Sequence, residues 1–314
     1  MPETPTDLLS PDAFRILNAI ARNGTFASAA RELGVVPSAL TYRVRQIEDA
    51  LDVLLFDRSS RQARPTEAGA ELLAQGDRLH REVNAVVNRV KRVATGWAPQ
   101  FTIAADGLIS SSALMELVEA FYALNPPTRL RMRDEILSGT LGAVTSGHAD
   151  LALGVILEPS SAANLKAVPL GQVRFVYAVA PHHPLAKAPE PLADTDLLKH
   201  RGIVVADSVQ SGITQSFGLL EGQDTLTVSS LAAKLDAQLR GLGAGFLPEP
   251  IARPYLATGR LVERRVERCT RVAQLNYAWR ADGNPGKALE WWLEQLQSPK
   301  TRRALLEQHG QRVE

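Results

Sequence analysis

The sequence predicts a chain of mixed class, α+β as a whole and α/β in its larger part: a small helical head with a short hairpin, one long connecting helix, then two α/β lobes. Three observations predict it. The first 66 residues hold three short capped amphipathic runs followed by an apolar, then basic, then returning segment; residues 67–93 contain no proline and carry a heptad stripe; beyond "ATGWAPQ" strand-like and helix-like stretches alternate. With 314 residues and 45% hydrophobic content there is material for more than one core.

In the head, Ser10 before Pro11 supplies a capping hydroxyl and a first-turn proline, and Phe14, Leu17 and Ala21 share a face, so a helix is expected over about 11–22. "RNGT" ends it at Gly24, and Thr25 caps a second short helix through Ala27, Ala30 and Leu33. Gly34 turns the chain. Pro37-Ser38 then opens a third helix in which Leu40, Val44, Ile47 and Leu51 face inward. Ser38, Tyr42, Arg45 and Asp49 fall opposite that stripe, with Thr41 beside them. Hydroxyls, a phenol and a guanidinium on one outward face are the chemistry that reads duplex grooves, although the same pattern fits a solvated helix face. Val53 to Phe56, a polar tip with Arg58 and Arg61, and a return through Ala63 to Thr66 that includes Arg64 predict a hairpin whose arginines grip phosphates or enter a minor groove.

Composition narrows the classes. Net charge is +1, from 35 Lys+Arg against 34 Asp+Glu, so a polyanion partner has to be argued from pattern and not from bulk charge. Cys269 is the sole cysteine, which excludes an internal disulfide framework and a thiol cluster. "MPETPTDLLSPDAF" has neither a basic start nor an apolar run, and no stretch nears the ~20 apolar residues that span a bilayer, so a cytoplasmic location without membrane partners is expected.

"GTFASAARELGVVPSAL", "IEDALDVLLFDR" and "PTEAG" occur in the order and at the spacing found in LysR-type transcriptional regulators, and the chain resembles that family. The resemblance implies a winged helix-turn-helix over 1–66, with the helix-turn-helix proper from Thr25 to Val44, contacts from Pro37, Ser38, Thr41 and Tyr42, and Arg58 as the wing arginine. Together with the outward face, the candidate DNA contacts are Thr25, Ser28, Pro37, Ser38, Thr41, Tyr42, Arg43, Arg45, Arg58, Arg61 and Arg64. Pro37 and Tyr42 depart from the residues usual at those family positions, so the operator cannot be borrowed from a relative, and Pro65 stands where the family's wing often has a leucine.

In the connector, Leu72, Gly76, Leu79, Val83, Val86, Val90 and Val93 alternate steps of four and three, the seam of a helix that pairs with another helix or lies along its own domain. By resemblance it is a dimerising linker over 67–95, in a dimer or tetramer that sets two reading heads on double-stranded promoter DNA. Gly96 and Pro99 mark a hinge.

From 96 to 314 the first set of segments is Phe101–Ala105, Ser111–Leu124, Arg129–Ile136, Thr140–Gly147 and Leu151–Val155; the second is Val173–Ala180, Ile203–Ala206, Leu226–Val228 and Ser230–Gly241; Leu275–Trp279 and Pro285–Gln297 return to the first. A largely parallel sheet is expected. By resemblance this is an effector-binding domain akin to periplasmic solute-binding proteins, with lobe I at about 100–168 and 270–300 and lobe II at about 169–269. "APHHPLA" and "GLGAGFLPEPIARPYLATGRLV" carry that likeness.

Ligands in such lobes sit beyond the carboxyl ends of the strands. The candidate effector residues are therefore Asp106, Gly107, Ser110, Ser111, Glu135, Ser138, Asp207, Ser208, Ser211, Gly245 and Phe246. Asp106 and Glu135 each follow a strand, which points to an amine or nucleobase-like effector, or else to two solvated strand ends.

Catalytic and cofactor signals are missing. His182-His183 lies in a Pro-flanked turn without metal-ligand spacing, and "GLGAG" lies between a helix and a strand, the wrong order for a phosphate cradle, so no metal or cofactor is expected. Trp291 and Trp292 are adjacent on one helix and are not expected to share one core. The reading is a ligand-responsive regulator, touching RNA polymerase if it activates. The competing readings are a solute-binding protein and an enzyme with a regulatory head, which no nucleophile–base pair supports.

Overall fold

The computed structural model describes residues 8–57, 62–156, 164–208, 218–267, 271–281 and 285–309, in two compact units divided at Val87/Asn88. The first unit begins with α1 (Pro11–Asn23), α2 (Phe26–Leu33) and α3 (Pro37–Leu51). The caps are those the sequence offers. Ser10 Oγ accepts from Ala13 N at 3.3 Å, Thr25 Oγ1 from Ser28 N at 3.1 Å, and Gly24 and Gly34 take left-handed conformations that a Cβ would disfavour. Phe14, Leu17, Ile20, Ala29, Leu40, Val44 and Ile47 form the core, with Leu55 and Phe56 added from the segment after α3.

The hairpin is shorter than its apolar run. β1 (Phe56–Asp57) pairs antiparallel with β2 (Arg64–Pro65), while Val53 and Leu54 stay exposed, because Asp52 ends α3 at φ 53 and turns the chain before Leu55 enters the core. Then α4 (Glu67–Thr95) begins. Leu72 and Leu73 pack on the first unit's core, and Gly76 lies against Phe14: a Cβ there would come 2.1 Å from Phe14 Cδ1, so the glycine admits α1 instead of loosening a seam. Beyond it Leu79, Val83, Val86, Val90 and Val93 are exposed, Val90 at 62% and Val93 at 80%.

In the second unit one sheet runs β10 (Val262–Arg264), β6 (Leu165–Val179), β11 (Arg271–Arg280), β5 (Leu151–Val155), β3 (Gln100–Asp106) and β4 (Arg129–Glu135), with β9 (Gly245–Pro248) also on β6. β7 (Gly202–Val205) and β8 (Thr225–Val228) pair separately and join β9's approach through a bridge from Gly202 to Ala244. The expectation of a largely parallel sheet holds only for β3 with β4, β3 with β5, and β7 with β8. Crossover helices α5 (Ser111–Tyr122) and α6 (Ser138–Thr145) link the first three of these strands, as parallel neighbours require. β6 and β11 instead run antiparallel along most of their length, with a register shift between Leu275 and Asn276 opposite Gly171 and Pro169.

The remaining helices are α7 (Asp194–Leu197), α8 (Leu231–Leu239), α9 (Glu249–Ala257), α10 (Gly286–Gln297) and α11 (Pro299–Glu307). The main core gathers Ile103, Phe121, Leu151, Leu153, Leu275 and Trp292. Trp291 packs on it as well, its ring 5.2 Å from that of Phe121, so adjacent tryptophans do share one core: a large ring reaches sideways past its own helix position. No described helix is long and apolar enough to cross a membrane.

Candidate nucleic-acid interface and ligand cleft

The outward face of α3 is formed as its periodicity requires. Ser38, Tyr42 and Arg45 are exposed, Tyr42 at 63%, while Leu40, Val44 and Ile47 beneath them are sealed. Tyr42 Oη accepts from Gln46 Nε2 at 3.3 Å, and Thr41 Oγ1 donates to Pro37 O at 2.9 Å, which leaves its lone pairs outward. Pro37 fills the first turn of α3 beside exposed Val36.

Thr25 is spent as the α2 cap, and Ser28 Oγ accepts from Arg31 Nη2 at 3.0 Å. Arg43 leans 3.9 Å from Asp12 across to α1, an exposed pair of little energetic consequence. Arg64 stands exposed on β2; Arg58 and Arg61 lie outside the described residues.

Glu48, which sequence reasoning did not single out, is 5% exposed. Its Oε1 accepts from Leu55 N at 2.9 Å and Phe56 N at 3.3 Å, tying the hairpin's first strand to α3. The signal was its place at Val44+4, on the edge of the buried stripe.

In the second unit a cleft of about 630 Å³ opens between the β3/β4 half and the β7/β9 half of the fold. Asp106, Gly107, Ser111, Glu135 and Phe246 line it, together with Leu137, Phe175, Leu231 and Lys234. Ser110 does not reach it: its hydroxyl caps α5 by accepting from Ala113 N, and it is buried under the C-terminal helix, with its N–H on Leu305 O. Ser138 and Asp207 are spent on each other, Ser138 Oγ lying 2.7 Å from Asp207 Oδ2, and Ser208 Oγ accepts from Ile136 N at 2.6 Å. These bonds clasp the two halves together at the cleft's edge. Gly139 makes the clasp possible, since a Cβ there would lie 2.6 Å from Ser208 Cβ. Gly245 flanks the cleft beside Lys234, and Ser211 lies outside the described residues.

Both predicted acids are occupied. Asp106 Oδ1 accepts from Leu108 N at 2.9 Å and Oδ2 from Leu137 N at 3.0 Å; burial pushes its pKa up to about 6 against those donors. The second bond holds Leu137 at φ 54, a strained conformation for a leucine, where α6 begins. Glu135 Oε1 takes two donors from Arg133, Nε at 3.0 Å and Nη2 at 2.8 Å. An amine effector thus finds no unspent carboxylate among these two. The residue that sequence reasoning missed is Lys234, on the inward stripe of α8 with Ala237 and Gln238. Its signal was a cation at a position where the helix pattern calls for an apolar residue.

A capped three-helix head with an exposed polar face, joined by one long helix to a fold with a clefted sheet, defines a two-part DNA-binding regulator with an effector-binding domain. The family model described as bacterial regulatory helix-turn-helix protein, lysR family, matches residues 11–70, and that of the LysR substrate binding domain matches 94–299. The chain belongs to the LysR family of transcriptional regulators. It is 35% identical to the uncharacterized HTH-type transcriptional regulator YeeY of Escherichia coli K12, over 91% of this chain and 92% of that one. It is 34% identical to the probable regulator YhaJ of the same organism, over 92% and 96%. Among solved structures, CbnR complexed with its target DNA aligns over 92% of this chain and 99% of its own at 17% identity, with a TM-score of 0.61. Full-length OxyR from Pseudomonas aeruginosa aligns over 97% and 98% at 20% identity, with a TM-score of 0.52.

Proposed function

We propose that α3 is the helix this regulator inserts into the major groove, with Ser38, Thr41, Tyr42 and Arg45 toward the bases and Arg64, Arg58 and Arg61 on flanking phosphates. The observation that carries this is the sorting of α3: its hydroxyl, phenol and guanidinium side is open while its aliphatic side is sealed behind it. Residues 1–66 form the reading head, 67–95 the linker and 96–314 the effector domain. Two copies pair through Leu79 to Val93, whose exposed heptad stripe on α4 is half of a coiled-coil core, in a dimer or tetramer inside the cell. An effector settles in the cleft and shifts the angle between its two halves, and through the linker the spacing of two heads on DNA.

The test is selection of genomic fragments by the full-length chain, followed by gel shift with Tyr42→Ala and Arg45→Ala. Each variant is expected to lose specific affinity by about 1–3 kcal/mol while melting as the wild type does. Unchanged operator affinity in both would overturn the assignment of this face.

A further inference from the structure

Lys234 stands out by its isolation. It is 6% exposed and lines the cleft, and among the described residues it makes no hydrogen bond and no ion pair. Burying an ammonium without a counter-charge is costly. Its position adds to the cost. It lies in the first turns of α8, where the backbone N–H groups already present partial positive charge, and helical side chains lean toward the N-terminus, so its head group projects to that same end. Burial lowers its pKa to about 8, which still leaves it protonated at neutral pH.

The surroundings are arranged for a guest. Ser229, Ser230, Leu231 and Ala232 line the cleft at the start of α8; Ser230 Oγ accepts from Ala233 N at 3.1 Å, and the first-turn N–H groups of Leu231 and Ala232 have no partner inside a helix. Gly245 flanks the ammonium, its missing Cβ lying 3.5 Å from Nζ, so no side chain crowds that approach. Across the cleft, Asp106 and Glu135 are satisfied by backbone N–H groups and by Arg133. Asp134 also lines the cleft but is exposed to solvent, so among the described lining residues Lys234 is the buried charge left with neither a hydrogen bond nor an ion pair. The rest of its wall is largely apolar, with Phe175 and Phe246 among the lining rings.

We propose that the effector is an organic acid, with one carboxylate held by the Lys234 ammonium and the first backbone N–H groups of α8 and an apolar body between Phe175, Phe246 and Leu231. This rests on the reading of the cleft as an effector site and names the class of molecule it takes. One unmatched cation calls for one anionic group, and a cleft of about 630 Å³ has room for a ring-sized apolar body.

The experiment is thermal melting of the full-length chain with millimolar benzoate, phenylacetate and 3-phenylpropionate, each beside its neutral amide and the corresponding amine. The acids are expected to raise the melting temperature by roughly a few degrees and the amides and amines to leave it unchanged. Lys234→Met keeps an unbranched side chain, shorter by the terminal atom, and removes the charge. It is expected to melt cooperatively at or above the wild-type temperature without ligand, and to lose acid affinity about a hundredfold by calorimetry. Lys234→Gln serves as a second neutral variant if the methionine form does not melt cooperatively. Protection by amines, equal protection by acid and amide, protection that survives in the neutral variants, or no protection by any acid would each overturn the proposal. Operator binding by wild type and K234M, measured on the same preparations, tells the two readings apart: retained DNA binding with failed acid protection removes only the effector class, whereas absence of specific DNA binding removes the regulator reading itself.

Discussion

Replacing Glu48 by alanine tests how the hairpin is fixed to the reading helix. The carboxylate sits under the turn after α3 and receives the N–H groups of Leu55 and Phe56 at 2.9 and 3.3 Å, with Leu55 and Phe56 themselves buried. In Glu48→Ala two buried donors lose a charged acceptor. Each unsatisfied donor costs about 1–3 kcal/mol, and part of that is regained if water enters the hole, so a local loss of about 3 kcal/mol is expected. Glu48→Gln retains a carbonyl acceptor at the same reach and should lose about 1 kcal/mol. A chain of two units has no single unfolding free energy, so the assay is native-state hydrogen exchange read on the peptides that carry Leu55 and Phe56. Three kcal/mol accelerates exchange by roughly a hundredfold in the alanine variant, while peptides of β3 and β5 stay protected. Equal exchange in wild type and Glu48→Ala would refute the idea that this carboxylate holds the hairpin. Equal effects of alanine and glutamine would refute the attribution to a lost acceptor.

Two further expectations concern the cleft. Asp106 has its pKa raised from 3.8 to about 6 by burial, so its contribution to stability is complete below about pH 4 and is lost as pH rises through 6, a fall of about 3 kcal/mol. Native-state hydrogen exchange of the β3 peptide in wild type and Asp106→Asn, corrected for intrinsic rates and compared at about pH 4 and about pH 7, should show that fall only in the wild type; an identical fall in both would remove Asp106 as its source. Gly139→Ala puts a methyl 2.6 Å from Ser208 Cβ and 2.8 Å from Glu135 Oε2. It should break the clasp between residues 136–138 and 207–208 at a cost of about 1–3 kcal/mol. Faster exchange at the end of β7 checks this, and unchanged exchange there counts against the clasp.

The local signals in the head were strong enough to read directly. Ser10, Thr25, Gly24 and Gly34 act at the helix ends where their chemistry placed them, and the Leu40/Val44/Ile47 stripe faces inward. Strand positions in the first half of the sheet were also legible, Leu151–Val155 to the residue, because buried parallel strands read as unbroken apolar runs. β6 was not. Its first half contains Lys166, Pro169 and Gly171, which mask a strand whose identity comes from pairing with β11, a hundred or so residues away in sequence. The same limit governs the cleft. A side chain's type shows in the sequence, but whether its charge is already spent does not. Asp106 and Glu135 looked available and are occupied; Lys234, which sequence reasoning did not single out, is buried with no hydrogen bond or ion pair among the described residues. Ser110, Ser138 and Asp207 lie near the right place, yet they work on the protein's own backbone and on each other.

β6 and β11 also bear on how this molecule transmits a signal. They form a continuous hydrogen-bonded ribbon from Leu165/Arg280 to Phe175/Arg271, and β6 alone then carries on to receive β9 and β10. The halves that flank the cleft are thus not separate beads on a tether but two ends of the same woven strip. Such a strip can flex where its ladder skips a step, beside Pro169 and Gly171, and it cannot come undone there without losing the rungs on either side. Pairing is thinnest at that one skipped step, so the strip itself marks the axis about which one half could tilt against the other while every rung on either side is kept.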